Sequence, residues 1–273
     1  MAIASVAITL ASAVVPRVGA QPPRTLRGVV DSFTIRSARY SWTRRFWVYT
    51  PPGYVAKGAT PYPLLLAFDG FVYLDSAGIG LPRMLDSLIA AQRIPPLVAV
   101  LVDDSTGAAR IGDLVNNETF AGFLADEVVP RVRSGWNVTQ DPRRTIITGS
   151  SGGGLASAFV ALRRPELFGN VVSQSGAFRR GPEGKNEPSE WLTARVADWP
   201  KRDVRFVLDV GELETRAPGD SGPTFISYVR RFKDALTKRG YVVRYVEVPG
   251  GSHSTDTWRA RLPGDLVEII EGW

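Results

Sequence analysis

One serine of this chain stands where a serine can become a nucleophile. The short apolar run Thr145-Ile146-Ile147-Thr148 leads into Gly149-Ser150-Ser151-Gly152-Gly153-Gly154, and Leu155-Ala156 then opens an alanine-rich stretch. Gly-x-Ser-x-Gly centred on Ser151 is the signature of a sharp strand-to-helix turn that lifts a serine hydroxyl above a sheet, with glycines where neighbouring side chains would clash. The bare pattern is weak in a glycine- and serine-rich chain, so its weight comes from the strand before it and the helix after it. The competing reading is a glycine-rich turn or phosphate cradle. No P-loop lysine follows, which argues against nucleotide binding.

A serine hydroxyl needs a base to take its proton. His253 is the only histidine, and it lies in Pro249-Gly250-Gly251-Ser252-His253-Ser254, after the last expected strand. An acid between serine and histidine in sequence would fix the imidazole tautomer and stabilise the imidazolium. The loop after Arg205 to Val210 offers Glu212, Glu214 and Asp220, whereas Asp209 lies inside the strand. Glu214 is favoured, with Glu212 next. Two backbone donors would complete such a site by holding the developing oxyanion. The N–H of Gly152 is one. The N–H of Phe71 in Asp69-Gly70-Phe71 is the other, unless that segment is an ordinary Asp-Gly turn.

The elements that must carry these residues follow from periodicity. Val29 to Ile35 and Arg44 to Tyr49 read as antiparallel strands, ended by Pro51-Pro52-Gly53. The continuous apolar runs Pro63 to Phe68, Leu97 to Val102, Thr145 to Thr148 and Val204 to Val210 suit strands covered on both faces, and Tyr241 to Val248 adds a late strand. Helical spacing marks Leu81 to Ile94, Asn116 to Val132, Gly152 to Arg164, Thr224 to Arg239 and Asp256 to Ile270. Strands alternating with helices predict an α/β fold with a doubly wound, mostly parallel sheet. Arg179 to Pro188 reads as a loop, part of a lid. Its Arg179 and Arg180 follow a segment expected to leave the sheet on the active-site side, where they would draw an anionic ester such as a catecholate or hydroxycinnamate conjugate. In so arginine-rich a chain the favoured reading is that they are solvated surface residues.

The 273 residues carry 44% hydrophobic and 22% charged side chains, enough for a core of ordinary size. Cysteine is absent, which excludes disulfides, thiolate metal sites and thiol catalysis. One histidine cannot build a His-rich zinc site, although carboxylate oxygens could hold a hard cation. No metal or cofactor is called for. The net charge of +6 comes without a basic run or nucleic-acid motif, so no nucleic-acid partner is expected. Ala2 to Val15 are almost all small or apolar, Pro16-Arg17 breaks the run, and Val18-Gly19-Ala20 precedes Gln21. This fits a signal peptide over residues 1–20 cleaved after Ala20, although no Lys or Arg precedes the apolar run. The run is too short to span a bilayer. The expectation is a periplasmic or secreted catalytic domain of residues 21–273 without stable membrane insertion. A cytoplasmic protein with an N-terminal extension is the alternative. Oligomeric state is not legible.

Taken together, these pieces resemble the esterase family that includes enterochelin esterases, feruloyl esterases, S-formylglutathione hydrolases and mycolyltransferases. The resemblance runs from about Arg45 to Leu262. It is carried by Val48 to Tyr54, Leu64 to Gly70, Arg110 to Leu114, Phe123 to Pro130, Gly149 to Gly153, Arg164 to Gly169, Ser173 to Phe178, Val210 to Glu214, and Gly250 to His253 with Trp258-Arg259. It implies an α/β-hydrolase fold with antiparallel N-terminal strands and a small-molecule ester as substrate. It also implies a triad of Ser151, His253 and Glu214, the acid standing three residues after the glycine matched by Gly211. Ser175-Gly176-Ala177-Phe178 and Trp258-Arg259 are most similar to the enterochelin esterase branch. Ser252 departs from the pattern by separating the paired glycines from the histidine. Arg179-Arg180 replaces an aromatic pair, and an N-terminal domain found in some enterochelin esterases is not seen. Hydrolysis through an acyl-enzyme, acyl transfer by the same triad, and a binding module without catalysis are the three readings, and the intact triad disfavours the last.

Overall fold

In the computed structural model, residues 28–103, 107–182, 189–215 and 223–273 are described. The expected signal segment, the candidate acid Asp220 and part of the Arg179–Pro188 loop lie outside them.

Eight strands among the described residues form one sheet: β1 (Val29–Arg36), β2 (Thr43–Thr50), β3 (Leu64–Ala67), β4 (Val98–Val102), β5 (Thr145–Ser150), β6 (Asn170–Gln174), β7 (Arg205–Gly211) and β8 (Val242–Val248). Their spatial order is β1-β2-β4-β3-β5-β6-β7-β8. The β1–β2 and β2–β4 pairs are antiparallel and all others parallel. This is the α/β-hydrolase arrangement.

Alternation inside the central strands explains why apolar runs were needed. Leu64 and Leu66 face one core, with Val98, Val100 and Val102; Leu65 and Ala67 face the other, with Ala99 and Leu101. Successive side chains of a strand point to opposite faces, so a strand covered on both sides can spare neither set for water. Helices α1 (Gly70–Leu74), α2 (Leu81–Ala90) and α9 (Thr255–Ile270) cover the second face. Helices α3 (Gly107–Leu114), α4 (Glu118–Phe123), α5 (Val129–Gly135), α6 (Gly152–Arg163), α7 (Trp191–Asp198) and α8 (Phe225–Lys238) cover the first.

Two expected helices differ from the sequence reading, and four elements were not foreseen. The helix expected over Asn116 to Val132 begins at Glu118, because Asn116 adopts φ 50° and the Asn117 side chain caps the Thr119 and Phe120 amides. It then passes through a π turn at Leu124–Val128 before α5. Pro130 supplies the reason: proline has no N–H to donate to the preceding turn, and the backbone widens there. The helix expected over Leu81 to Ile94 stops at Ala90, since Gln92 adopts φ 53°. β6, α1, α3 and α7 were not foreseen as elements.

Candidate active site

The C-terminal ends of β3, β5, β6, β7 and β8 place every candidate residue. β5 ends directly at Ser151, which takes φ 56° and ψ −115° and caps α6. Only close packing permits the bend. A methyl group on Gly149 would lie 2.6 Å from the Gly153 carbonyl carbon, and one on Gly153 would lie 3.3 Å from Phe68 Cβ. The Ser151 N–H donates to the Gln174 carbonyl over 2.9 Å, and the Ala177 N–H donates to the Ser151 carbonyl over 2.9 Å. The Ser151 backbone is thus held on one side by the last residue of β6 and on the other by the loop that follows it.

His253 follows β8 through Gly250, which uses φ 65° to turn the chain. Its Nε2 lies 3.0 Å from Ser151 Oγ and its Nδ1 lies 2.7 Å from Glu214 Oε2. With Nδ1–H donating to the carboxylate, Nε2 is left as the acceptor that the serine hydroxyl requires. The ring is fixed by Phe225 and Trp258, whose ring centroids lie 4.6 and 5.0 Å away at 63° and 84°.

Glu214 is fully buried, and three donors reach its carboxylate. His253 takes Oε2; the Gly211 N–H, at 2.8 Å, and the Ser175 hydroxyl take Oε1. Trp258 Nε1–H donates in turn to Ser175 Oγ over 2.9 Å. Glu212 is turned away and accepts from the Gly250 N–H at 3.2 Å. The geometry therefore brings Glu214, not Glu212, to the histidine.

The segment around Phe71 lies beside the elbow, since a methyl on Gly153 would lie 3.3 Å from Asp69 Oδ2. Asp69 takes φ 53° and starts α1, so the Phe71 N–H falls in the first turn, where helix amides have no intrahelical partner. Gly152 is the first residue of α6, so its N–H likewise lies in a first turn. The Asp69 carboxylate forms a two-point ion pair with Arg110, Nη2 to Oδ2 at 2.6 Å and Nε to Oδ1. The guanidinium reaches the elbow as well, since a methyl on Gly152 would lie 3.5 Å from Arg110 Nη1. Arg179 is exposed, and the carbonyl of half-buried Arg180 accepts from Asn116 Nδ2 at 3.2 Å.

Ser175, Phe225, Trp258, Arg110 and Asp69 were not assigned chemical roles from the sequence. All but Phe225 fall in segments that carry the family resemblance, and the contacts above explain what those segments do. Among the described residues, no group of three or more acidic or histidine side chains could hold a metal ion, and no helix is long and apolar enough to cross a membrane.

Residues 37–269 match the family described as "Putative esterase", and the chain belongs to that family of α/β-hydrolases. Among curated proteins it is similar to the iron(III) enterobactin esterase of Dickeya dadantii (strain 3937), with 27% identity over 93% of this chain and 57% of that one. The iron(III) enterobactin esterase of Escherichia coli (strain K12) is 28% identical over 86% of this chain and 55% of that one. Among solved structures, the enterobactin esterase from Shigella flexneri, in the presence of enterobactin, superposes with a TM-score of 0.77. It is 25% identical and covers 92% of this chain and 61% of its own. The chain thus spans little more than half the length of these relatives.

Proposed function

We propose that the chain is a serine esterase that hydrolyses a carboxylic ester through an acyl-enzyme on Ser151. The observation that carries this reading is the unbroken line from Ser151 Oγ through His253, at 3.0 Å, to Glu214, at 2.7 Å. Ser151 Oγ attacks the ester carbonyl while its proton passes to His253 Nε2. The tetrahedral oxyanion is held by the N–H groups of Gly152 and Phe71. His253 returns the proton to the departing alcohol as the C–O bond breaks. Water then repeats the sequence, giving up a proton to His253 and releasing the acid and free Ser151. Glu214 holds the tautomer and faces the positive charge that forms on the ring.

The similarity to iron(III) enterobactin esterases supports an enterobactin-like catechol ester as the substrate class. The test is hydrolysis of p-nitrophenyl acetate, enterobactin and a hydroxycinnamate ester by the wild type and Ser151→Ala. Hydrolysis abolished by Ser151→Ala supports the reading, and near-wild-type turnover in that variant rejects it. No p-nitrophenol release by the wild type would instead identify a binding module. Product carrying an added alcohol acceptor would identify transfer.

A further inference from the structure

A second polar cluster lies one layer behind the triad, on the face of the sheet covered by α9. Val172 and Val207 face the apolar core there. Two residues further along each strand, the same face carries Gln174 and Asp209, which are register partners at the ends of β6 and β7. Asp265 of α9 meets them from above. Gln174, Asp209 and Asp265 are 0%, 1% and 0% exposed, where alternation calls for apolar side chains. The Gln174 Nε2 amide donates to Asp209 Oδ2 at 3.0 Å, to Asp265 Oδ2 at 3.3 Å and to the Trp258 carbonyl at 3.0 Å. Both carboxylates thus accept from one amide nitrogen, which sets them side by side in a dry seam. Two ionised carboxylates held there would repel each other with little water to screen them, so the arrangement favours one proton kept on the pair.

The charges around the pair are unbalanced. Arg261, one turn back on α9, places Nε 2.9 Å from Asp265 Oδ1. Glu268 on the same helix and Glu214 beyond the end of β7 also act on the pair, and Asp209 in turn acts on the buried Tyr73 hydroxyl of α1. One cation therefore faces two buried acids, with further carboxylates nearby. Burial, and for Asp265 the neighbouring Asp209 charge, hold both carboxyls above the ordinary range.

We propose that Asp209 and Asp265 share one proton and, through Gln174 and Trp258, position the acid of the triad. Gln174 ties the pair to the Trp258 backbone, and the Trp258 indole N–H holds Ser175 Oγ at 2.9 Å. The Ser175 hydroxyl donates to Glu214 Oε1, while its N–H donates to the Asp209 carbonyl at 2.9 Å. Neither aspartate touches a reacting atom; both are positioning residues, and this role rests on the triad reading above. Removal of the shared proton would bring two like charges into contact in a dry seam, and α9 would have to yield.

The test compares wild type, Asp265→Asn and Asp265→Ala. Asparagine supplies an N–H in place of the shared proton and cannot ionise. An acid held protonated in the fold but ionised when unfolded makes stability fall as pH rises from its unfolded value, about 3.9, up to its folded value. The wild-type melting temperature should therefore fall relative to that of Asp265→Asn as pH rises above about 3.9. The infrared carbonyl band of a protonated carboxyl should be present in the wild type and lost in Asp265→Asn. With p-nitrophenyl acetate, Asp265→Ala should lower kcat by about tenfold or more with little change in KM, and asparagine should restore most of it. Parallel melting curves across pH, or no such band, would overturn the shared proton whether or not the chain is an esterase. Unaltered kcat in folded Asp265→Ala would overturn the positioning role. If alanine prevents folding, the pH dependence of kcat in Asp265→Asn decides: an alkaline decline identical to wild type counts against it.

Discussion

Gly211 and Gly251 pack backbone against backbone: a methyl group on Gly211 would lie 2.4 Å from the Gly251 carbonyl carbon. The loops that carry the acid and the histidine are joined there. The Leu213 N–H donates to the Gly251 carbonyl at 2.8 Å, and the Gly211 N–H donates to Glu214 Oε1. Gly211→Ala should separate the two loops. We expect kcat to fall about tenfold to a hundredfold, the scale of a misplacement near 1 Å, while far-ultraviolet circular dichroism stays that of the wild type. Wild-type kcat in this variant would mean that the contact is incidental.

The two glutamates of this loop should separate cleanly. Glu214→Gln removes a buried carboxylate held by three donors and facing His253. Glu212→Gln alters an exposed side chain that reaches only the loop backbone among the described residues. Glu214→Gln should lower kcat by several orders of magnitude, as tautomer control is lost, and Glu212→Gln by less than about threefold. Steady-state kinetics with one chromogenic ester checks this, and the reverse ranking would transfer the role to Glu212.

Trp258→Phe keeps an aromatic edge on His253 but deletes the N–H that holds Ser175. One hydrogen bond of this kind is worth about 0.5–1.5 kcal/mol, so a small drop in stability should accompany a kcat about tenfold lower. A change in stability with kcat untouched would leave Trp258 a packing residue.

Asp69→Asn should retain the left-handed backbone at that position, which asparagine tolerates, while breaking the two-point pair with Arg110. Turnover should fall about tenfold with the melting temperature nearly unchanged, because the pair braces the Phe71 segment more than the core. Loss of a pre-steady-state burst in the variant would place the effect in acylation. An equal effect on melting and turnover would argue for a purely structural pair.

How far the sequence reached depended on whether the signal was local. The elbow was legible because glycine, serine and the flanking strand lie within a dozen residues. His253 was legible because no other imidazole exists. β6 was missed: Asn170, Ser173 and Gln174 leave only Val171 and Val172 as an apolar run, although all five residues are buried. Asn170 and Gln174 find partners from distant segments; Asn170 Nδ2 donates to the Arg143 and Thr145 carbonyls, and Gln174 Nε2 to the Trp258 carbonyl. Asp209 was less favoured as an in-strand residue, and Asp265, which shares the Gln174 amide with it, lies beyond α8 and β8 in sequence. Glu214 was separable from Glu212 by the family pattern, while the reason, the Ser175 hydroxyl and the Gly211 amide, depends on the folded chain.

The φ of 56° at Ser151 has a consequence for heat resistance. A non-glycine residue in such a region costs on the order of 1–3 kcal/mol, whereas glycine gives back about 0.4–1 kcal/mol through the freedom of the unfolded chain. Ser151→Gly should therefore be inert and yet about 1 kcal/mol more stable, melting a few degrees higher in calorimetry. Serine in the bend ties chemical competence to a less durable fold, and selection for durability alone would favour a chain with no nucleophile.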